Sequence, residues 1–319
     1  MMERNLSLDI LKLSMAFMVV AAHARFLSEL SPLGEYLTVN GLFRIILPVF
    51  LIINGFYFFP VLVREAHISW FKKILFLYVI WMCFYIYFWF SLPDLSLVSL
   101  TKLSMEMIFG YWHLWYISGM LVAASLLLII NKLFPSFLVP TILVFSVLGL
   151  IIQYAGNYNY FEDPFWERLF DTYWLHRNGV LYSYPFFCIG YLINKHKIHN
   201  SISIRTAGIM SAIGFIFLLS ESYFNYYQEG REGEFDFYLS LFFLAPFVFI
   251  FFSKLEMRGN SKNIALYSSA IYFIHVFCLI VLRKYTTFGP LALTFACLLM
   301  SIIASYFIIK IHKKVKCIL

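Results

Sequence analysis

Charge is what this sequence has least of. Only 13% of the 319 residues are charged, against about a quarter in an ordinary soluble domain, and 62% are hydrophobic. The apolar residues occur in runs of about 20, the length that a helix needs to cross a bilayer, and not in the alternating segments of a membrane β-barrel. The sequence therefore predicts an all-α integral membrane protein. Its net charge of +7 is interpreted as topology and not as a sign of a nucleic-acid partner.

Cysteine is also scarce, and its spacing excludes two classes of site. The five cysteines form no C-x-x-C or C-x-x-H pair, so neither a disulfide framework nor a metal site is predicted. Four of them lie in apolar runs and are expected to act as small hydrophobic side chains. The cysteines are Cys83, Cys188, Cys278, Cys297 and Cys317. The first apolar run carries charges and lacks a cleavage site, so it is not interpreted as a signal peptide.

The apolar runs predict about ten transmembrane helices in one membrane domain, residues 1–319, because the loops are too short for a soluble domain. The predicted spans are 8–27, 41–62, 70–91, 114–131, 137–154, 178–194, 207–222, 237–253, 264–283 and 289–310. With the N terminus inside, fifteen lysines and arginines fall in inner segments, Arg4 and Arg258 among them, and five in outer segments. The positive-inside rule therefore predicts that both termini are cytoplasmic.

The first span, LDILKLSMAFMVVAAHARF, holds ionisable residues that are costly in a bilayer. Lys12 and His23 are eleven positions apart, about 20° past three full helical turns, so they share a face and are separated by a rise of about 16 Å. A structural explanation is open for each residue. Lys12 can snorkel to the interface or pair with Asp9. His23 can also be a buried imidazole bonded to a neighbouring helix. Arg25 lies near His23 at the outer end.

Three later segments place further polar residues in apolar surroundings. RIILPVFLIINGF begins with Arg44, at the level of His23, and places Asn54 deeper. YWHLWYISG contains His113, flanked by Trp115 and Tyr116, and SSAIYFIHVF places Tyr272 and His275 on a shared face. Packing, snorkelling and interfacial anchoring can each explain one of these residues alone.

Two predicted outer segments, 158–178 and 221–238, are rich in aromatic and acidic residues. They fit an interfacial aromatic belt. They also fit a sugar-binding rim, because aromatic faces cover the apolar faces of sugar rings and carboxylates accept hydrogen bonds from hydroxyls.

Taken in order, these motifs resemble those of the acyltransferase-3 family of bacterial membrane acyltransferases. Lys12 and His23 match the family's Arg/Lys-x10-His spacing, and R-x-x-x-P-x-F-x-x-x-N-G-F at 44–56 matches its second-span motif. His-Leu-Trp-Tyr at 113–116, Phe-x-x-Gly-Tyr at 187–191 and Tyr-x-x-His at 272–275 follow. Asn54 replaces the usual Ser, and Lys12 is the less common choice. The short chain is similar to the stand-alone members that O-acetylate surface polysaccharides or their lipid-linked precursors.

The resemblance implies an enzyme of the bacterial cytoplasmic membrane, an O-acetyltransferase that moves an acyl group from cytoplasmic acetyl-CoA to a hydroxyl of an extracytoplasmic glycan or lipid-linked sugar. Its implied catalytic residues are His23 as general base and Arg44 and His113 as further members, with Arg44, Arg25 or His113 stabilising the oxyanion. A covalent acyl-histidine is left open. The expected donor-binding cations are Lys12, Arg64, Lys72 and Lys73. The expected substrate-binding residues are Arg25, Asn54, Trp115, Tyr116, Tyr272 and His275.

A transporter or flippase of a lipid-linked sugar would use the same ionisable residues as a substrate path. No pair of repeats with broken helices supports that alternative in the sequence. A non-catalytic membrane partner in polysaccharide assembly is the third possibility, and the placing of histidine and arginine at one level argues against it.

Overall fold

The computed structural model describes residues 5–94, 96–255, 257, 259–316 and 318–319, and over these residues it is helical, without a strand. Arg4, Arg258 and Cys317 lie outside the described residues. The α-helices are α1 Leu6–His23, α2 Pro32–Val39, α3 Ile46–Val63, α4 His67–Phe84, α5 Ile86–Trp89, α6 Leu97–Phe109, α7 Trp115–Leu133, α8 Leu138–Asn157, α9 Pro164–Phe170, α10 Tyr184–Lys195, α11 Ile198–Ser201, α12 Ile204–Tyr227, α13 Leu239–Lys254, α14 Lys262–Tyr285 and α15 Pro290–Lys314. Short 3-10 turns occupy Leu42–Ile45, Trp112–Leu114, Pro135–Phe137 and Tyr173–Leu175, and a π turn occupies Gly179–Ser183.

Within the described residues, eight helical segments are long and apolar enough to cross a bilayer. Each of the ten predicted spans coincides with a helix. The spans predicted at 178–194 and 237–253 correspond to shorter helices, α10 with 12 residues and α13 with 16. The all-α membrane class is therefore confirmed, while ten crossings and the orientation of the termini stay predictions.

The outer faces of the long helices show what surrounds the bundle. On α8 the side chains of Leu143, Val147 and Ile151 are exposed, while Ile142 and Ser146 are buried. Apolar stripes of this kind repeat on α15 and on α4. A soluble protein rarely exposes such continuous apolar surface, so these faces are the ones that contact lipid.

Helix α1 lies inside the bundle, packed against α14, α13, α15 and α3. It ends at His23 because Arg25 adopts a φ of 59° and the chain turns back. The N–H of Phe26 donates to the Ala21 carbonyl and that of Arg25 to the Ala22 carbonyl, the two bonds of a Schellman motif. The C-terminal turn of α1 therefore holds His23 at the edge of a loop. The sequence predicted that this span runs on to residue 27.

Helices α3 and α10 cross in backbone contact at two glycines. A Cβ on Gly55 would overlap the carbonyl oxygen of Phe187, and a Cβ on Gly190 would overlap that of Ile52. Small residues allow this approach in membrane bundles. Because Arg44 precedes α3 and the π turn precedes α10, the crossing fixes these two connections relative to each other.

The connecting segments contain structure that the sequence did not predict. Helices α2, α6 and α9 form within them. The last aromatic residues of the 221–238 segment, Phe235, Phe237 and Tyr238, are fully buried, so these three form neither an interfacial aromatic belt nor a sugar-binding rim. We call the end of the bundle where α1 finishes the His23 end, and the opposite end the Lys12 end.

Candidate active site

A cavity of about 260 Å³ lies at the His23 end, and we call it the arginine cavity. Its apolar wall comes from α1 and from the start of α3. Its polar wall is formed by His23, Arg25, Arg44, His113, Arg177, Glu234, Asp236, Tyr272 and Arg283. All three predicted catalytic residues therefore line one cavity, although they come from three separate stretches of chain.

A second cavity of about 480 Å³ adjoins it, and we call it the aromatic cavity. Helix α6 contributes one side of it, through Lys102, Met105, Glu106 and Phe109. Aromatic rings form much of the rest: Trp112, Trp115, Tyr173 and Trp174. Four residues line both cavities, namely His23, Trp115, Arg177 and Glu234. His23 thus stands where the two cavities meet.

Stacking holds the His23 ring in place. The imidazole lies 5.7 Å from the Trp112 ring at an interplanar angle of 18°, and 5.2 Å from the His275 ring, between ring centroids. The His275 ring lies 4.9 Å from that of His113. Among the described residues no carboxylate forms an ion pair with His23. The His23 ring is therefore positioned by neighbouring rings and not by an acidic side chain.

The Tyr-x-x-His motif organises this cluster of three histidines. Nδ1 of His275 donates to the Tyr272 carbonyl oxygen at 2.7 Å, so its Nε2 carries the lone pair. The Tyr272 hydroxyl donates to the carbonyl of His113, which ties the Trp112–Leu114 turn to α14. Both ring nitrogens of His113 and Nε2 of His275 are buried without a partner. Buried polar atoms normally have hydrogen-bond partners, so three unpartnered nitrogens in one place are available to bond a ligand.

Arg44 links two distant parts of the chain. Its guanidinium donates to Asp236, to Asn40 and, at 2.9 Å, to Glu234. Arg177 lies 3.6 Å from the other Asp236 oxygen. Asp236 is almost fully buried. Burial acts to raise the pKa of Asp236, and the charges of Arg177 and Arg44 more than offset it, so this pKa lies below the ordinary value.

Gln153 on α8 positions Asp236. Its side-chain oxygen accepts hydrogen bonds from the N–H groups of Asp236 and Phe237 at 2.7 and 2.8 Å, and its amide donates to the Phe237 carbonyl at 2.8 Å. His176 lies 4.0 Å from the Asp236 carboxylate. Burial lowers the pKa of His176 to about 4, although Asp236 acts in the opposite direction, so His176 is neutral at pH 7.

The predicted substrate-binding residues divide by depth. Trp115 and Tyr272 line the cavities. Asn54 and Tyr116 lie below them and are hydrogen-bonded to each other at 2.6 Å, with the Tyr116 ring 5.8 Å from that of Tyr272. Arg25 lies at the rim, exposed and paired with Glu35 at 2.8 Å.

The predicted donor-binding cations are not brought together. Lys12 pairs with Asp9 at 3.3 Å, the alternative that the sequence left open, and Asp9 also accepts from Ser261 at 2.6 Å. Arg64, Lys72 and Lys73 have exposed side chains. A cavity of about 500 Å³ at the Lys12 end is lined instead by Asn5, Leu8, Phe56, Tyr57, His199, Asn200, Ile204, Ser253 and Lys254.

Sequence reasoning missed Arg177, Glu234, Asp236 and Arg283, all of which line the arginine cavity. The run FDFY at 235–238 offered one signal, an acid among aromatic residues with no turn residue between them. Arg177 counts only as one of the five outer charges in the sequence analysis, and no motif singles out Arg283. In the part of the chain that the structure describes, no group of three or more His, Cys, Asp or Glu side chains is arranged to hold a metal ion.

The family model described as an acyltransferase domain, of the acyltransferase-3 family, matches residues 5–310. The chain belongs to the acyltransferase-3 family. The resemblance seen in the motifs is thereby confirmed.

A similar protein is the serine/alanine racemase of Enterococcus gallinarum, which is 28% identical to this chain over 275 residues. The match covers 77% of this chain and 37% of the racemase, so the chain spans little more than a third of that protein's length. The racemase name describes that whole protein. No solved structure matches the chain.

Proposed function

We propose that this acyltransferase moves an acyl group, acetyl in the simplest case, from acyl-CoA to a hydroxyl of an extracytoplasmic glycan or lipid-linked sugar. The observation that carries the proposal is the position of His23 at the junction of two cavities of different character. The aromatic cavity suits a sugar, because its rings can cover apolar sugar faces while Glu106 and Glu234 accept hydrogen bonds from hydroxyls.

His23 acts as the general base. Its imidazole takes the proton of the acceptor hydroxyl, whose oxygen attacks the thioester carbonyl. The carbon–sulfur bond then breaks, and the CoA thiolate leaves and takes up the proton that the His23 imidazolium gives back. Stacking on Trp112 and a tilted contact with His275 hold the ring in the orientation that proton transfer needs. A covalent acyl-histidine on the same ring is the alternative sequence of steps.

Buried donors are available for the negative charge that develops on the carbonyl oxygen. Nε of Arg44 is buried without a partner although the rest of its guanidinium is engaged, and the ring of His113 is likewise unpartnered. Preorganised donors of this kind are usually a large contribution to catalysis. Asp236 and Gln153 act as positioning residues, since Asp236 holds Arg44 and Gln153 holds the backbone of Asp236.

The donor route requires motion in the bundle. Along the face of α1 that joins Lys12 to His23, Ala16 and Val19 are buried against neighbouring helices. A thioester that enters from the Lys12 end must therefore separate packed helices before it reaches His23. Transient opening on the microsecond to millisecond scale is typical of such gating.

Incubation of the purified protein with acetyl-CoA labelled in the acetyl group, together with membrane glycans, tests the proposal. We expect alkali-labile label in the glycan fraction and none with His23→Ala. A flippase would instead move lipid-linked sugar across proteoliposomes without acyl-CoA. That result, combined with no transfer of label, would refute the proposed activity.

A further inference from the structure

The arginine cavity carries more positive charge than its acids neutralise. Arg25 is engaged by Glu35 outside the cavity. That leaves the guanidinium groups of Arg44, Arg177 and Arg283 against the carboxylates of Glu234 and Asp236. Glu234 is largely exposed, with 65% of its side-chain surface accessible, so water screens its charge. His176 beside Asp236 is neutral at pH 7.

Arg177 is the least satisfied of these cations. Its guanidinium carbon lies 4.5 Å from the centre of the Trp115 ring, and one terminal nitrogen lies 3.6 Å from Asp236. Its Nε is buried without a hydrogen-bond partner, as is the Nε of Arg44 on the opposite side of Asp236. A buried donor without a partner is costly, so two in one cavity indicate a missing acceptor.

Charge neutralisation alone does not explain this arrangement. Arg44 already satisfies Asp236 and Glu234 through its terminal nitrogens. Arg177 adds its charge to the stabilisation of Asp236 from 3.6 Å, but this leaves its own Nε buried without a hydrogen-bond partner. Transfer of a neutral acetyl group does not need Arg177, because Arg44 and His113 already supply donors for the developing oxyanion.

We propose that the arginine cavity binds an oxyanion, a carboxylate or phosphate group carried by one of the two substrates, and that Arg177 holds it. This inference rests on the proposed function and narrows its substrate class. Because Arg177 also lines the aromatic cavity beside His23, the anion belongs to a group within a few bonds of the reacting atoms. Its source is either the far end of the acyl chain, as in succinyl, or an acidic group on the acceptor.

Anion binding is measured on the full-length protein in nanodiscs, without any transfer reaction. Inorganic phosphate and succinate are titrated at constant ionic strength while tryptophan fluorescence and Tm are followed, with glycerol as the neutral probe. We expect saturable binding of at least one anion to the wild type. Arg177→Gln should weaken it about 10–100-fold, the range for a hydrogen bond to a charged group.

Arg168→Gln is the matched control, since Arg168 is an exposed arginine in the same outer segment and lines neither cavity. It should bind anions as the wild type does. Arg177→Lys keeps the charge and loses the Nε donor, so it should bind with intermediate affinity. Equal binding by Arg177→Gln and wild type, or no anion binding by the wild type, overturns the proposal.

Two further comparisons identify the source. A wild-type preference for succinyl-CoA over acetyl-CoA that Arg177→Gln abolishes assigns the anion to the donor. Loss of transfer when the glycan's carboxyl groups are reduced or its phosphates removed assigns it to the acceptor. If Arg177→Gln alters neither preference, the proposal is wrong even where transfer occurs. If no acyl transfer is found at all, the anion titration still stands, so the two failures are distinguishable.

Discussion

At the scale of the single residue, His23 differs from a structural histidine because it faces two cavities. Its ring is held between the rings of Trp112 and His275. We expect His23→Ala to lower turnover by about 10²–10⁴-fold, the usual contribution of a general base, and to leave acyl-CoA binding unchanged. His23→Gln should be nearly as inactive, because an amide cannot take the proton. Labelled-acetyl transfer and acyl-CoA binding are the measurements.

His67→Ala, a histidine at the Lys12 end, is the control for that series. If His23→Ala keeps more than about a tenth of the wild-type turnover, the base lies elsewhere. His275 would then be the next candidate, since its Nε2 is buried without a partner 5.2 Å, ring to ring, from His23.

His176 gives the site a defined sensitivity to acid. Its pKa is lowered to about 4, so the folded protein binds fewer protons here than the unfolded chain between pH 6.5 and 4. Stability from this residue is therefore complete above pH 6.5 and falls as the pH drops, by about 2 kcal/mol at pH 5. We expect the loss of Tm between pH 7 and 5 to be smaller for His176→Asn than for the wild type. An identical loss in both would contradict the buried neutral imidazole.

At the scale of the element, the crossing of α3 and α10 depends on the absence of two side chains. We expect Gly55→Ala or Gly190→Ala to push the helices apart and to destabilise the protein by about 1–3 kcal/mol, because neither backbone carbonyl can move aside. Tm of the purified protein measures this. Gly208→Ala is the control, since its added Cβ would meet only the edge of the Phe251 ring at 3.2 Å. Equal Tm values for all three would remove the crossing from the account of the fold.

Helix α1 carries a second prediction, at its Lys12 end. If Lys12 contacts the phosphates of acyl-CoA, Lys12→Ala should weaken acyl-CoA binding and Lys12→Arg should largely retain it. The structure also makes Lys12 the partner of Asp9, which is buried. The double variant Asp9→Asn/Lys12→Ala separates the two roles in acyl-CoA titrations and Tm measurements. Affinity restored in the double variant would leave Lys12 with the structural role alone.

At the scale of the whole molecule, the orientation of the bundle places donor and acceptor. The excess of lysine and arginine in alternate segments predicts that the His23 end faces outward. A cysteine at exposed Tyr160 should react with an impermeant thiol reagent in intact cells, and one at exposed His196 should not. Cys83→Ala in both variants removes the one exposed thiol among the four cysteines that the structure describes. The reverse labelling would invert the orientation and the donor route with it.

The helical membrane class, the family and the approximate positions of the long helices could all be predicted from the sequence. These follow from short-range features: apolar runs of bilayer length, and motifs in a fixed order. The spacing of Lys12 and His23 also fixed their common face, because a helix repeats regularly. His113, Tyr272 and His275 also drew attention in the sequence, because ionisable and hydroxyl groups are costly within a bilayer.

Which of these residues meet depends on how the helices pack, and the sequence does not specify that packing. Helical periodicity specifies the face that a residue occupies but not the helix which that face contacts. Asp236 reaches Arg44 across 192 positions, and Gln153 fixes it from a third helix. The ends of helices were equally undetermined, since α1 stops at His23 through a left-handed Arg25 that propensity does not predict. The cavities lie between elements, so their arginines and acids became a site only when α3, α10 and the 228–238 segment packed together.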